Sequence, residues 1–83
     1  MKKYIIYTEY KPNLESIIKK YVPGATLIRG CGIYKYMKEN MAQITIFNSD
    51  FDQIKLLAKN IQQINRQTEV WIEKQNAILF IIK

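Results

Sequence analysis

Eighty-three residues hold one domain (1–83), with no length left for a second core; a domain this small buries only about 60% of the surface its unfolded chain exposes. Thirteen Lys and Arg against seven Asp and Glu give a net charge of +6, which suits an acidic partner or nucleic acid without choosing between them. One Cys and no His exclude an internal disulfide, a Cys/His metal site and any Ser/His/Asp set.

"KYIIYTEY" (3–10) is β-branched and aromatic and predicts a strand. "KPN" turns the chain, Asn13 is a candidate N-cap, and Leu14, Ile17, Ile18 and Tyr21 form one helical stripe that Pro23-Gly24 ends. "ATLIRGCGIYKY" and "AQITIF" read as two strands of a long hairpin, joined by the polar stretch "MKEN". Ser49 or Asp50 caps a second helix, whose expected buried stripe is Phe51, Ile54, Leu57, Ala58, Ile61 and Ile64. "QTEVWIE" alternates as a strand, "KQN" reads as a turn, and "AILFII" as a short last strand.

The order is β-α-β-β-α-β with a short extra C-terminal strand: an α+β, ferredoxin-like plan, with two helices on one face of an antiparallel sheet and the other face left open. The start "MKKYIIYTEYK" lacks the run of about 7–15 apolar residues of a secretory signal, and "AILFIIK" is far short of the roughly 20 residues that span a bilayer, so a cytoplasmic protein without membrane contact is expected.

"RGCGIY" (29–34) sets the only cysteine between two glycines. Glycines that cradle phosphate follow a strand and open a helix; here strand-like "IYKY" follows, and the next helix is far down the chain. Alternation puts Gly30 and Gly32 on one side and Cys31 on the other with Leu27 and Ile33, so a bent strand with Cys31 packed in the core is expected.

The run Pro23-Gly24-x-Thr26, Gly30-x-Gly32-x-Tyr34, Glu39 and Gln67-x-x-Val70 resembles small bacterial and phage domains of ferredoxin-like type. Those carry a P-x-G-x-T / G-x-G/W hairpin, an amphipathic helix and a Q-E-x-V strand. The resemblance spans roughly residues 20 to 80 and implies a fold, with no activity and no functional residue.

No catalytic residue, cofactor or metal is expected, and the chain reads as non-enzymatic. Asp50 and Asp52 suit a helix start, and Glu69 and Glu73 read as solvated strand charges. By alternation Gln43, Thr45 and Phe47 face away from the helices, as do Glu69, Trp71 and Glu73, with Ile5, Tyr7 and Glu9 as further candidates. Tyr34, Tyr36, Phe47, Trp71 and Phe80 are therefore the candidate partner or self-association surface, with Lys35 and Lys38 steering an acidic partner. The leading expectation is a small binding protein, a homo-oligomer or a phage- or mobile-element-encoded inhibitor acting by protein contact. Two alternatives stay open: RNA or single-stranded DNA stacking on the aromatic face, and an oligomeric domain that binds nucleotides or other small molecules.

Overall fold

The computed structural model describes residues 2–34, 37–47, 50–76, 78 and 80, and only the backbone of 33, 34, 37 and 38. The elements are β1 (Lys2–Glu9), α1 (Leu14–Lys19), β2 (Thr26–Tyr34), β3 (Met37–Phe47), α2 (Phe51–Ile64) and β4 (Trp71–Asn76). The strands form one sheet in the order β2-β3-β1-β4, with every neighbour antiparallel. This is the ferredoxin-like plan expected from the sequence.

The core is built from two helical stripes and the alternate residues of the central strands. Leu14, Ile17 and Ile18 of α1 and Ile54, Leu57, Ala58 and Ile61 of α2 close over Tyr4 and Ile6 of β1 and Ala42, Ile44 and Ile46 of β3. Each large aliphatic side chain so buried contributes about 1.5–3 kcal/mol, the main favourable term of the fold. Phe51 and Ile64, expected in the α2 stripe, are exposed instead; they are the first and last residues of the helix. Phe51 still stacks on Tyr4, with ring centroids 5.6 Å apart.

Asp50 caps α2, its carboxylate accepting from the Asp52 amide at 3.0 Å. Asn13 stands at the N-cap of α1 but makes no capping bond; its amide nitrogen donates to the Asn65 side-chain oxygen at 2.9 Å. The C-terminus of α2 closes with Arg66 in the left-handed region (φ 54°). There the Gln67 amide donates to the Gln62 carbonyl at 3.0 Å and the Arg66 amide to that of Gln63, a Schellman closure built without glycine. The closure aims Gln67 back at β1: its amide oxygen accepts from the Thr8 hydroxyl at 2.9 Å and its nitrogen donates to the same hydroxyl at 2.7 Å.

Four strand expectations change. "QTEVWIE" is strand only from Trp71, and Gln67 to Val70, Glu69 included, belong to the connection before it. "MKEN" is not a connector, since β3 begins at Met37; Glu39 and Asn40 are exposed in it, which suits their polarity. "KQN" is not a turn, since β4 runs through Asn76. Of the expected strand "AILFII", residues 77, 79, 81 and 82 lie outside the described residues, and Ile78 and Phe80 belong to no strand.

The glycine stretch is continuous strand, and at Cys31 it departs from expectation. β2 and β3 pair without interruption from Thr26↔Thr45 to Tyr34↔Met37, so the ladder has no bulge at Gly30 or Gly32. Cys31 is exposed, not buried in the core. It shares Leu27's side of the strand but pairs with Asn40, beyond Ala42, the last buried residue at this end of β3 among those whose side chains are described. Just short of it, the Arg29 guanidinium covers the Tyr10 ring at 4.2 Å from the centroid.

Candidate functional site: the open face of the sheet

The register arranges the helix-free face in cross-strand rows. Ile28, Gln43, Tyr7 and Trp71 form one row across all four strands. The next row towards the hairpin tip is Gly30, Met41 and Glu9, followed by Gly32 and Glu39. On the other side lies Thr26, Thr45, Ile5 and Glu73, then Phe47, Lys3 and Gln75. The alternation expected for Gln43, Thr45, Phe47, Trp71 and Glu73 holds, and the tentative residues Ile5, Tyr7 and Glu9 join this face.

At the hairpin end of the face, the connection from α2 to β4 rises beside the sheet and closes a hollow of about 500 Å³. Its principal side chains are Tyr7, Glu9, Glu39, Met41, Glu69 and Trp71. The Gln67–Thr8 bonds hold the connection against β1, so the Schellman closure of α2 ultimately positions Glu69 and Trp71. Three of the seven acidic residues line this hollow, in a chain whose net charge is +6. Glu9 has a partner, Lys11, at 3.8 Å, and both are solvent-exposed. Among the described residues no group of three His, Cys, Asp or Glu converges closely enough to hold a metal ion.

At the edge of the hollow the Tyr7 hydroxyl donates to a Glu73 carboxylate oxygen at 2.5 Å. This bond, then burial and the nearby negative charge, push the tyrosine above its usual pKa. The same bond, with a second from the Gln75 side chain and the charge of Lys3, holds Glu73 below the usual carboxylate range against a smaller desolvation effect. The pair is a proton held between a weak acid and a strengthened one, on the rim of a cleft.

The expected anchors are only partly brought together. Trp71, 65% exposed, flanks the hollow. Phe47, 40% exposed with Lys3 over its ring, pairs with Lys3, whereas Trp71 pairs with Tyr7. Four residues of strand separate these rows, about 13 Å at 3.3–3.4 Å per residue, so Phe47 and Trp71 are not one patch. Phe80 is 85% exposed and belongs to no strand. Tyr36 and Lys35 lie outside the described residues, as do the side chains of Tyr34 and Lys38. Sequence reasoning missed Met41, Glu39 and Gln67 as parts of the site. The available signal was the parity of β3: continuing the alternation of Gln43 and Thr45 back through "MKEN" puts Met41 and Glu39 on the open face.

Neither a protein-family model nor any curated protein matches the chain in sequence. Solved structures do match it in shape. A phage SAM lyase in its apo state superposes with a TM-score of 0.68 at 21% identity, over 89% of this chain and 78% of that one. A nitrogen regulatory PII-like protein from Thiomonas intermedia, bound to ADP, AMP and bicarbonate, gives 0.64 at 16% identity, over 96% and 94%. CutA from Synechococcus elongatus, complexed with Bis-Tris, gives 0.66 at 10% identity, over 93% and 79%. These identities carry the fold alone, and the resemblance drawn from the glycine and Gln67 motifs is supported at that level.

The lyase corrects one expectation. The chain was read as non-enzymatic for want of histidine and nucleophile, yet an enzyme is built on this plan. The physical reason the inference failed is that proton transfer needs a positioned acid and base of suitable strength, not a histidine. In this chain Tyr7 and Glu73 are in such contact, although their mutual bond moves the tyrosine up and the glutamate down, away from neutral pH. No helix among the described residues is long and apolar enough to cross a membrane.

Proposed function

We propose that the chain binds a small, positively charged ligand of the S-adenosylmethionine class in the hollow beside Tyr7 and Trp71. The observation that carries this is a carboxylate-lined cleft, Glu9, Glu39 and Glu69, on a protein that is basic elsewhere. A sulfonium or ammonium centre is attracted both by those carboxylates and by the face of an indole such as Trp71. The volume lies within the range of ordinary small-molecule sites. Among the similar structures, one is a SAM lyase and another holds adenine nucleotides, so an adenosine-bearing ligand is the class to offer first.

Calorimetric titration with S-adenosylmethionine, and with AMP as an anionic control, tests the charge reading. Tighter binding of S-adenosylmethionine supports it, and preference for AMP overturns it. Chromatography of the same mixtures reads turnover, with the Tyr7 hydroxyl lining the hollow and Glu73 as its hydrogen-bond partner. Homo-oligomer formation belongs to this reading, because β2 and β4 stand at the two edges of the sheet among the described residues, and natural proteins rarely leave sheet edges bare.

A second reading has one specific support. Ile28 and Trp71, at the two ends of one row, are 53% and 65% exposed, which suits contact with a protein. Its concrete form is a phage- or mobile-element-encoded regulator. Stacking of nucleic acid on this face is disfavoured, because Glu9, Glu39, Glu69 and Glu73 all repel phosphate there.

A further inference from the structure

The 500 Å³ hollow has a neighbour. A second hollow of about 240 Å³ lies on the same face over β2, bordered by Ile28, Gly30, Gly32 and Gln43. The two share Tyr7, Gly32 and Met41. Met41 pairs with both Gly30 and Glu9 and so stands on the strand between the compartments. A Cβ on Gly32 would fall 2.6 Å from Met41 Cγ, so the methionine lies across the glycine and depends on its having no side chain. At Gly30 an added Cβ would meet nothing within 4 Å: that ground is open backbone.

These compartments differ in chemistry. One is walled by Glu9, Glu39 and Glu69. The other has a floor of backbone at Gly30, open, and at Gly32, covered by Met41, with Ile28 at its margin, and glycine in a strand is a common mark of close ligand approach. Methionine is unbranched, with three rotatable bonds and a polarisable sulfur, and re-packs at lower cost than any branched residue of its size.

We infer that Met41 is a movable divider within one elongated site and the residue that sets its specificity. The ligand has two parts: a cationic head among the carboxylates and a flat ring system lying on the Gly30–Gly32 strip. Met41 swings aside to join the compartments, then covers the ring with its sulfur. This rests on the cationic-ligand reading above and adds the second compartment and the gate.

The test offers three probes: S-adenosylmethionine, 5′-methylthioadenosine as ring without charge, and trimethylsulfonium as charge without ring. Affinities come from calorimetry, and from NMR shift titration for the weak probes. At Gly30 a Cβ meets no protein atom within 4 Å and a β-branched residue raises β-propensity, so Gly30→Val is expected to retain the fold while covering the strip. It is expected to weaken both adenosine-bearing probes roughly tenfold and to leave trimethylsulfonium within about twofold. Met41→Phe, stiffer and bulkier, is expected to weaken S-adenosylmethionine selectively, and Met41→Ala to spare trimethylsulfonium. Equal changes for head and whole ligand, or unchanged S-adenosylmethionine binding in Gly30→Val, overturn the two-part site. Trimethylsulfonium bound as tightly as S-adenosylmethionine by the wild type overturns it as well, while leaving the charge reading intact. Wild-type protein that binds none of the three removes both.

Discussion

Tyr7 on β1 and Glu73 on β4 are joined at 2.5 Å across the open face, one row out of register: Tyr7 pairs with Trp71, and Glu73 with Ile5. Their shifts have opposite signs and act at opposite ends of the pH scale. The lowered Glu73 adds stability that is present above its ordinary value of 4.5 and is lost as pH falls through its folded value. The raised Tyr7 adds stability that is complete below 10.0 and is lost as pH rises through its folded value. Tyr7→Phe is therefore expected to flatten both the acid and the alkaline limb of the melting temperature against pH. Superimposable limbs in wild type and variant would refute the coupling.

Thr8 is 1% exposed, and its hydroxyl bonds the Gln67 side chain. Gln67→Ala leaves that hydroxyl unpaired and is expected to cost about 1–3 kcal/mol in urea unfolding. Thr8→Val removes the buried group itself, and Gln67 can turn to water, so the loss should be smaller. A Gln67→Ala variant as stable as wild type would mean that the connection carrying Glu69 is held by something else.

Arg66 holds a left-handed conformation that costs a residue with a Cβ about 1–2 kcal/mol, part of which glycine returns as extra freedom in the unfolded chain. Arg66→Gly is expected to stabilise the protein by about 0.5–1 kcal/mol. Arg66→Val, β-branched, should destabilise it by more. Thermal unfolding of the two variants decides, and a loss in Arg66→Gly would contradict the Schellman geometry.

Trp71 separates the two functional readings. If it flanks a ligand cleft, Trp71→Ala leaves the solution mass by light scattering unchanged and weakens cationic ligands by roughly tenfold or less, the range of one cation–π contact. Dissociation into monomers would move the residue to the self-association reading.

The element order was legible because each helix carries its stripe at helical spacing and each central strand alternates. Ile44 and Ile46 set against Gln43 and Thr45 leave no doubt which face meets the helices. Legibility failed where alternation loses its cause. "MKEN" is strand, and its described side chains, Glu39 and Asn40, are exposed, so nothing in its hydrophobicity marks it as strand. Cys31 has the parity of a core residue and lies past the core's edge, since period tells side and not depth. The face of the site could be read from parity; the hollow could not. It depends on the connection after α2, whose path is set by one left-handed arginine and one side-chain amide, neither of which leaves a periodic trace.

The β2–β3 ladder runs on past Ala42, and there the backbone bonds have little over them: Arg29, Gly30, Cys31, Glu39 and Asn40 are all exposed. Amide hydrogens along 30–31 and 39–40 should therefore exchange with solvent through local opening, orders of magnitude faster than those of Ile6 or Ile44, which wait for global unfolding. The proposed ligand floor lies in that labile stretch, while Thr8, which lines the first hollow and holds Gln67, lies in the part that opens last. A molecule settling across both would slow exchange at Gly30 and Gly32 far more than at Thr8, making deuterium uptake along this one strand a direct record of occupancy.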